Sequence, residues 1–398
     1  MHFGSGRQRE TSKTRLAPVS YEHPIEKRPL RVALVLWSGH IGGAQRFSVE
    51  LARSMQSSGA APSVVFVLDG TPLTEHLDAL AIPHSALGLL RGRSVLRTPR
   101  RLAEAVSATA ADAAILVASG YLAAALRIGG YRAPVIGVEH GSLLQLRAHK
   151  PLKRLVRQVD RASGVMACSA VVAVSRYMMD RVNDHRPRPR VVCIPNGVDL
   201  QRFSPPIFEP ESPRTGELVA GCAARLVAGK GVEDAIHALT HASLQETRLR
   251  IAGSGPLRNE LEELARSLAV DSRTEFLGEV LDMPAFWRSV DVAVVPSSSL
   301  VESFGMVAVE AMACARPVVA TQSGALPSVV ENGVTGRIVP PGDVEALASA
   351  IAEYADAGVR ARHGAQGRRR CEEKYSIERT ARQYLELCGE LVREAAAN

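Results

Sequence analysis

Aromatic residues make up only 4% of this 398-residue chain, so the stacking platforms that hold single-stranded nucleic acid are hard to assemble from it. No two of its six cysteines (Cys168, Cys193, Cys222, Cys314, Cys371, Cys388) form a C-x-x-C pair, which argues against a structural zinc site. Most of them sit in apolar runs, as free thiols do in proteins of reducing compartments, so an intracellular, cytoplasmic setting is expected. No apolar run approaches the ~20 residues that span a bilayer. The longest, residues 164–174, is short and contains Ser169. Residues 1–28 are polar and lack an apolar signal core; a disordered basic leader is expected there instead of a secretory peptide. The signatures D-x-D, H-E-x-x-H and G-x-S-x-G are missing, which removes the usual marks of a metal-dependent transferase, a zinc protease and an α/β-hydrolase.

What is present is a globular composition, with 46% hydrophobic and 22% charged residues, and a length that suits two domains better than one. The net charge of +7 is compatible with a polyanionic ligand, an anionic membrane face or plain solubility. "RVALVLW" (31–37) reads as a buried strand, followed by a glycine turn and an amphipathic helix; "PSVVFVLDG", "AAILVAS" and "APVIGVEHG" add further strands. Short apolar strands alternating with helices predict βαβ units and a parallel sheet. "SPPIFEPESPRTGE" (204–217) has the composition of a linker, after which the pattern restarts with "LVAGCAARL", "RLRIAGSG", "RTEFLGEV", "DVAVVPSS" and "RPVVATQS". The expected class is α/β, with two doubly wound halves whose strand ends face each other across a cleft. The expected division is 29–203, linker 204–217, 218–374, and a C-terminal helix in 375–398 whose docking partner its spacing does not specify, a return to the first domain being one option.

Several residues carry candidate chemistry, each beside an ordinary structural reading. Gly42 and Gly43 follow the first strand and open a helix, where backbone N–H groups can approach a phosphate; a tight βα turn would look the same. Gly253 and Gly255 begin a dinucleotide fingerprint, but Arg258 occupies its third glycine position. Arg225 and Lys230 lie just past a strand, with Gly229 and Gly231 flanking the lysine, and together suit a diphosphate; two solvated loop cations are the plain alternative. "ESFGMVAVE" places Glu302 at a helix mouth, Ser303 as its cap, and Glu310 about two turns in among apolar neighbours. A carboxylate there is costly unless hydrogen-bonded, and sugar hydroxyls would supply such bonds. His140 stands at the carboxyl end of a strand, as a substrate contact or a structural histidine. "RGRSVLRTPRR" and "RAHKPLKRLVRQVDR" (147–161) are basic stretches; the second reads as a basic amphipathic helix or a solvated face.

In order along the chain, "GGAQRFSVELA" with Glu50, "VVCIPNGVDLQRF", "ARLVAGKGV", "ESFGMVAVEAMACARPVVAT" with its E-x7-E spacing, and "ENGVTGRIVPPGD" resemble the retaining glycosyltransferases of family 4. The resemblance runs from about residue 30 to residue 392. It implies the GT-B fold, two Rossmann-like domains, with the acceptor on the first and the donor on the second. It implies that Glu310 holds the ribose of a nucleotide-sugar and Glu302 the hydroxyls of the transferred sugar. Arg225 and Lys230 would neutralise the departing diphosphate, the backbone at Gly43, Ser303, Phe304 and Gly305 would cradle phosphate and sugar, Val280 would meet the base, and His140 would sit beside the transferred sugar. Glu302, His140, Arg225 and Lys230 are thus the candidate catalytic groups. The resemblance also implies retention by same-face attack, without a metal or other cofactor, because cations and a helix end can carry the leaving charge.

Some positions depart from the family pattern. Ala224 stands where a glycine is common, Ala315 and Arg316 follow the helix where a glycine often ends it, and Ala325 and Ser328 replace a frequent glycine and glutamate. The expected partners are a nucleotide-sugar donor and a glycan or lipid-linked acceptor, with peripheral contact to an anionic membrane and no nucleic acid. A nucleotide-sugar epimerase and a non-catalytic sugar-nucleotide binding module are the competing readings.

Overall fold

The computed structural model describes residues 28–38, 43–68, 72–89, 98–117, 120–141, 164–183, 189–206 and 217–397. Gly42, residues 1–27 of the leader, residues 91–97 of the first basic stretch and the second basic stretch 147–161 lie outside them.

Seven strands form the first sheet: β1 (Arg31–Leu36), β2 (Ala61–Phe66), β3 (His84–Ala86), β4 (Ala113–Leu116), β5 (Val135–Glu139), β6 (Ala170–Ala173) and β7 (Arg190–Cys193). They run parallel in the order β3-β2-β1-β4-β5-β6-β7. Six strands form the second: β8 (Leu218–Ala223), β9 (Thr247–Ala252), β10 (Thr274–Gly278), β11 (Val292–Val295), β12 (Val318–Thr321) and β13 (Gly336–Val339), in the order β10-β9-β8-β11-β12-β13. The central strands are buried along their whole length, as in "AAIL", "VIGVE", "AVVA", "VAVV" and "VVAT". Unbroken apolar runs of this kind suit a parallel sheet covered by helices on both faces. In each sheet the strand order reverses once, between β1 and β4 and between β8 and β11. Such a switch point opens a crevice at the carboxyl ends of the strands, the usual ligand position in doubly wound folds. The short strands β3 and β13 were not among the sequence-level strands; three and four residues leave little pattern to read.

The C-terminal helix Ile377–Ala397 packs against the helix Gly43–Ser57 of the first half. Its buried residues Ile377, Ala381, Tyr384, Cys388 and Leu391 recur at steps of three and four, which places them on one helical face. They meet a face carrying Phe47, Leu51 and Met55. Each large side chain fully buried in such a seam contributes roughly 1.5–3 kcal/mol. Replacing Ala381 with Asp would put an unpaired charge into it. The entry to this helix is tied to the first half by paired backbone bonds, Val198 N–H to Tyr375 O at 2.8 Å and Ile377 N–H to Val198 O at 2.9 Å. Thr380 Oγ1 donates to Pro195 O at 2.9 Å. On the other side of the crossing, the Arg368 guanidinium donates to Phe203 O at 2.7 Å and Ala313 O at 2.8 Å. It thereby joins the exit of the first half to the last turn of the helix Met306–Ala313.

Candidate donor site in the cleft

Two loops build the core of the site, one leaving β8 and one leaving β11, on either side of the second sheet's switch point. Arg225 lies two residues past the end of β8 and is exposed; no ion pair joins it to another described residue. The chain then turns through Gly229 to Lys230. Gly229 O accepts from Ser298 N–H at 3.0 Å and Leu300 N–H at 3.1 Å, which zips the two loops together. Gly231 sits at φ 71°, and a Cβ there would stand 1.8 Å from Pro296 O, so only glycine fits. The nearby pair Gly253 and Gly255 packs against Ala224 O and Leu226 O, where added Cβ atoms would lie 1.8 and 2.3 Å away. These glycines permit close backbone packing behind Arg225, which accounts for a G-x-G without the rest of a dinucleotide fingerprint.

Lys230 Nζ lies 2.5 Å from Glu302 Oε1, with both side chains only 17% exposed. Ser297 Oγ donates to the same oxygen at 2.8 Å. The lysine read as a phosphate cation and the glutamate read as a sugar contact are therefore partners of each other. Spacing could not reveal this, because 72 residues separate them.

The helix beyond Glu302 begins at Met306, and its N-cap is Gly305 at φ 100° with no side-chain cap bond. Ser303 is therefore not the cap. Its carbonyl instead accepts from Ser175 Oγ at 2.7 Å, a bond from the carboxyl end of β6 in the first half to the loop leaving β11 in the second. Phe304 is buried, with its ring edge-on to Tyr375 at 5.7 Å, so the side chain anchors the loop while its backbone stays at the mouth. The first N–H groups of a helix have no partner within it, and they carry the positive end of its dipole.

Glu310 is the fifth residue of that helix, little more than one turn in, not two. Its Oε2 accepts from the Trp287 indole N–H at 3.3 Å. Loss of water pushes its carboxyl up to about 7, against the pull of Trp287 and of Arg46 and Arg202 from the first half. Val280 lies half-buried just before the helix Met283–Arg288 that carries Trp287. An open groove of about 500 Å³ continues from there, lined by Arg202, Leu281, Asp282, Pro284 and Arg288.

On the facing half, Gly43 opens its helix at the carboxyl end of β1. His140 follows β5; its ring stands edge-on to Phe47 at 5.9 Å, and its buried Nε2 has no hydrogen-bond partner. Burial pushes its pKa down to about 4, so the imidazole is neutral at pH 7. Glu50 is engaged on the protein's own surface, with Arg53 at 2.9 Å and Arg202 at 3.6 Å. Trp287 and Ser175 were not anticipated from the sequence. An indole inside "MPAFWR" and a serine inside "AVSRY" give no signal of the groups they reach.

Comparison with known proteins fits this arrangement. The profile of Glycosyltransferase Family 4 matches residues 41–202, and that of Glycosyl transferases group 1 matches residues 204–370. The lipopolysaccharide core biosynthesis mannosyltransferase LpcC of Rhizobium leguminosarum is 32% identical over 252 residues, 60% of this chain and 67% of that protein. The chain belongs to glycosyltransferase family 4. A second relative of the family is the GDP-mannose-dependent monoacylated alpha-(1-6)-phosphatidylinositol monomannoside mannosyltransferase of Corynebacterium glutamicum. It is 33% identical over 52% of this chain and 58% of its own length. The chain thus matches little more than half of that relative. Anabaena HepE, solved with UDP and glucose, superposes with a TM-score of 0.76 over 90% of this chain and 99% of its own, at 22% identity. The two-sheet architecture is therefore the GT-B fold of this family. No described helix is long and apolar enough to cross a membrane.

Proposed function

We propose that this family 4 enzyme moves a sugar from a nucleoside diphosphate sugar to an acceptor hydroxyl, with retention at the anomeric carbon and without a metal. The observation that carries the reading is the Lys230–Glu302 pair, which joins the loop leaving β8, where Arg225 also stands, to the loop leaving β11, from which the helix Met306–Ala313 with Glu310 begins. In this reading the diphosphate lies at the helix mouth between Arg225 and Lys230. Glu310 accepts the ribose hydroxyls, Val280 borders the base, and Glu302 and neutral His140 contact the transferred sugar. The bond from the anomeric carbon to the leaving phosphate oxygen breaks, and the bond to the acceptor oxygen forms on the same face. The acceptor proton passes to the leaving phosphate. The cations and the helix end stabilise the charge that develops there. The names of the relatives favour a glycan or lipid-linked acceptor and make GDP-mannose a first donor to try; UDP, held by HepE, is the second base. The relatives named above are transferases, which favours transfer to an acceptor over epimerisation.

The test is a thermal-shift panel with UDP, GDP, ADP and CMP, each in EDTA, followed by nucleotide release with and without acceptor glycans. A ligand at 100 times its Kd adds ~2.7 kcal/mol to stability. A shift with one diphosphate, and release that depends on acceptor, are expected. Absence of any shift would overturn the donor site; binding without turnover would leave a sugar-nucleotide binding module.

A further inference from the structure

The geometry points to Trp287 as a positioning residue for nucleotide recognition: its indole N–H holds one oxygen of Glu310 so that the other faces the crevice for the ribose. The inference rests on the donor-site reading above. Trp287 is fully buried and braced edge-to-face by Phe286, with ring centroids 4.8 Å apart. Its short helix is fixed at the start by Asp282, whose Oδ1 accepts from Ala285 N–H at 3.0 Å. The indole therefore has little freedom to move. Its bond to Oε2 is the one described side-chain hydrogen bond to Glu310. A carboxylate on a helix otherwise rotates among several rotamers, and a rigid donor selects one. Because Val280 leads into the same helix, a single element sets both the border of the base and the direction of the ribose acceptor. The donor also favours the ionised carboxyl. The other groups that face Glu310 are Arg46 and Arg202, which act in the same direction, and Cys314, a thiol that burial pushes up to about 12 and keeps neutral.

The chain's two tryptophans allow a direct test. In Trp37→Phe the buried indole is the sole tryptophan, and excitation at the red edge, where tyrosine does not absorb, isolates its emission. Its fluorescence is expected to change between pH 5 and 9 with a midpoint near 7, set by Glu310. The change is expected to vanish when Glu310→Gln is added. An emission that does not respond to pH anywhere in the range where the fold persists, or a response left unchanged by Glu310→Gln, overturns the proposal. In parallel, the Kd of the nucleoside diphosphate is measured against pH for wild type and Trp287→Phe. The variant is expected to bind about tenfold more weakly at pH 7, with the midpoint of its pH dependence moved upward. A loss of equal size at every pH, with the midpoint unmoved, would mean that Trp287 only fills space. The emission titration needs neither a folded Trp287→Phe nor a bound nucleotide. It therefore decides the pairing even if that variant unfolds, and failure of wild type to bind any nucleotide would count against the donor site alone.

Discussion

Replacing Glu302 with Gln should tighten binding of the free nucleoside diphosphate while abolishing transfer. Lys230 is held by Glu302 at 2.5 Å, so an incoming diphosphate must share that ammonium with a carboxylate. Two contacts through one nitrogen place the carboxylate about 5 Å from the phosphate oxygens, and like charges at that distance repel by about 0.8 kcal/mol in water and about 3 kcal/mol at an effective dielectric of 20. Removing the charge should therefore lower the Kd roughly 4- to 150-fold. The amide keeps a carbonyl oxygen for Lys230 and Ser297, so the loop geometry survives. Loss of the charge partner should still cost the ligand-free protein about 1–2 kcal/mol. Isothermal titration in EDTA at ~0.1 M salt measures the first effect and urea unfolding the second. If the variant bound the diphosphate more weakly than wild type, or equally, Glu302 would be orienting Lys230 for phosphate instead of competing with it, and the charge arithmetic would be wrong.

Three further outcomes are expected. Ala315 closes the helix Met306–Ala313 at φ 55°, with Arg316 N–H on Ala311 O and Ala315 N–H on Met312 O, each at 2.9 Å. Left-handed backbone costs a non-glycine residue about 1–2 kcal/mol and glycine's extra unfolded entropy returns part of that, so Ala315→Gly should raise stability by about 0.5–1 kcal/mol in urea, with nucleotide affinity unchanged. Glu310 is pushed up from the ordinary value of 4.5 to about 7, so the native state binds its proton more tightly than the unfolded chain. That contribution is present below pH 4.5 and is lost as pH rises to about 7. Glu310→Gln, which cannot ionise, should be more stable than wild type at pH 8 and gain little at pH 4.5, while losing about tenfold or more in nucleotide affinity. Gly231→Ala would set a Cβ against Pro296 O and force a left-handed alanine, and should lower the melting temperature by several degrees and loosen Lys230.

The sequence made the sheets legible because strands such as "AAIL" and "VAVV" are short, apolar and evenly spaced by helices. It made the helix mouth legible because Glu302 and Glu310 interrupt an apolar run. What it did not convey were pairings between distant segments. Lys230 with Glu302, Trp287 with Glu310 and Ser175 with Ser303 each join residues that no local period relates. The cap was misplaced because serine is a frequent N-cap, whereas here Gly305 takes a backbone angle that serine tolerates poorly and Ser303 is engaged across the cleft. The docking of the last helix became visible only when its stripe could be set against that of residues 43–57.

The chain passes between the halves twice, once between β7 and β8 and once back through Tyr375–Ile377, and the return strand is bonded to the outgoing one at Val198. Two covalent links fastened side by side behave as a door hinge does: they allow rotation about one axis and resist torsion about the others. Motion of one half against the other is thereby reduced to nearly a single angle. The bond from Ser175 to Ser303 is a further tie between the halves, made at the loop that leads into the helix Met306–Ala313.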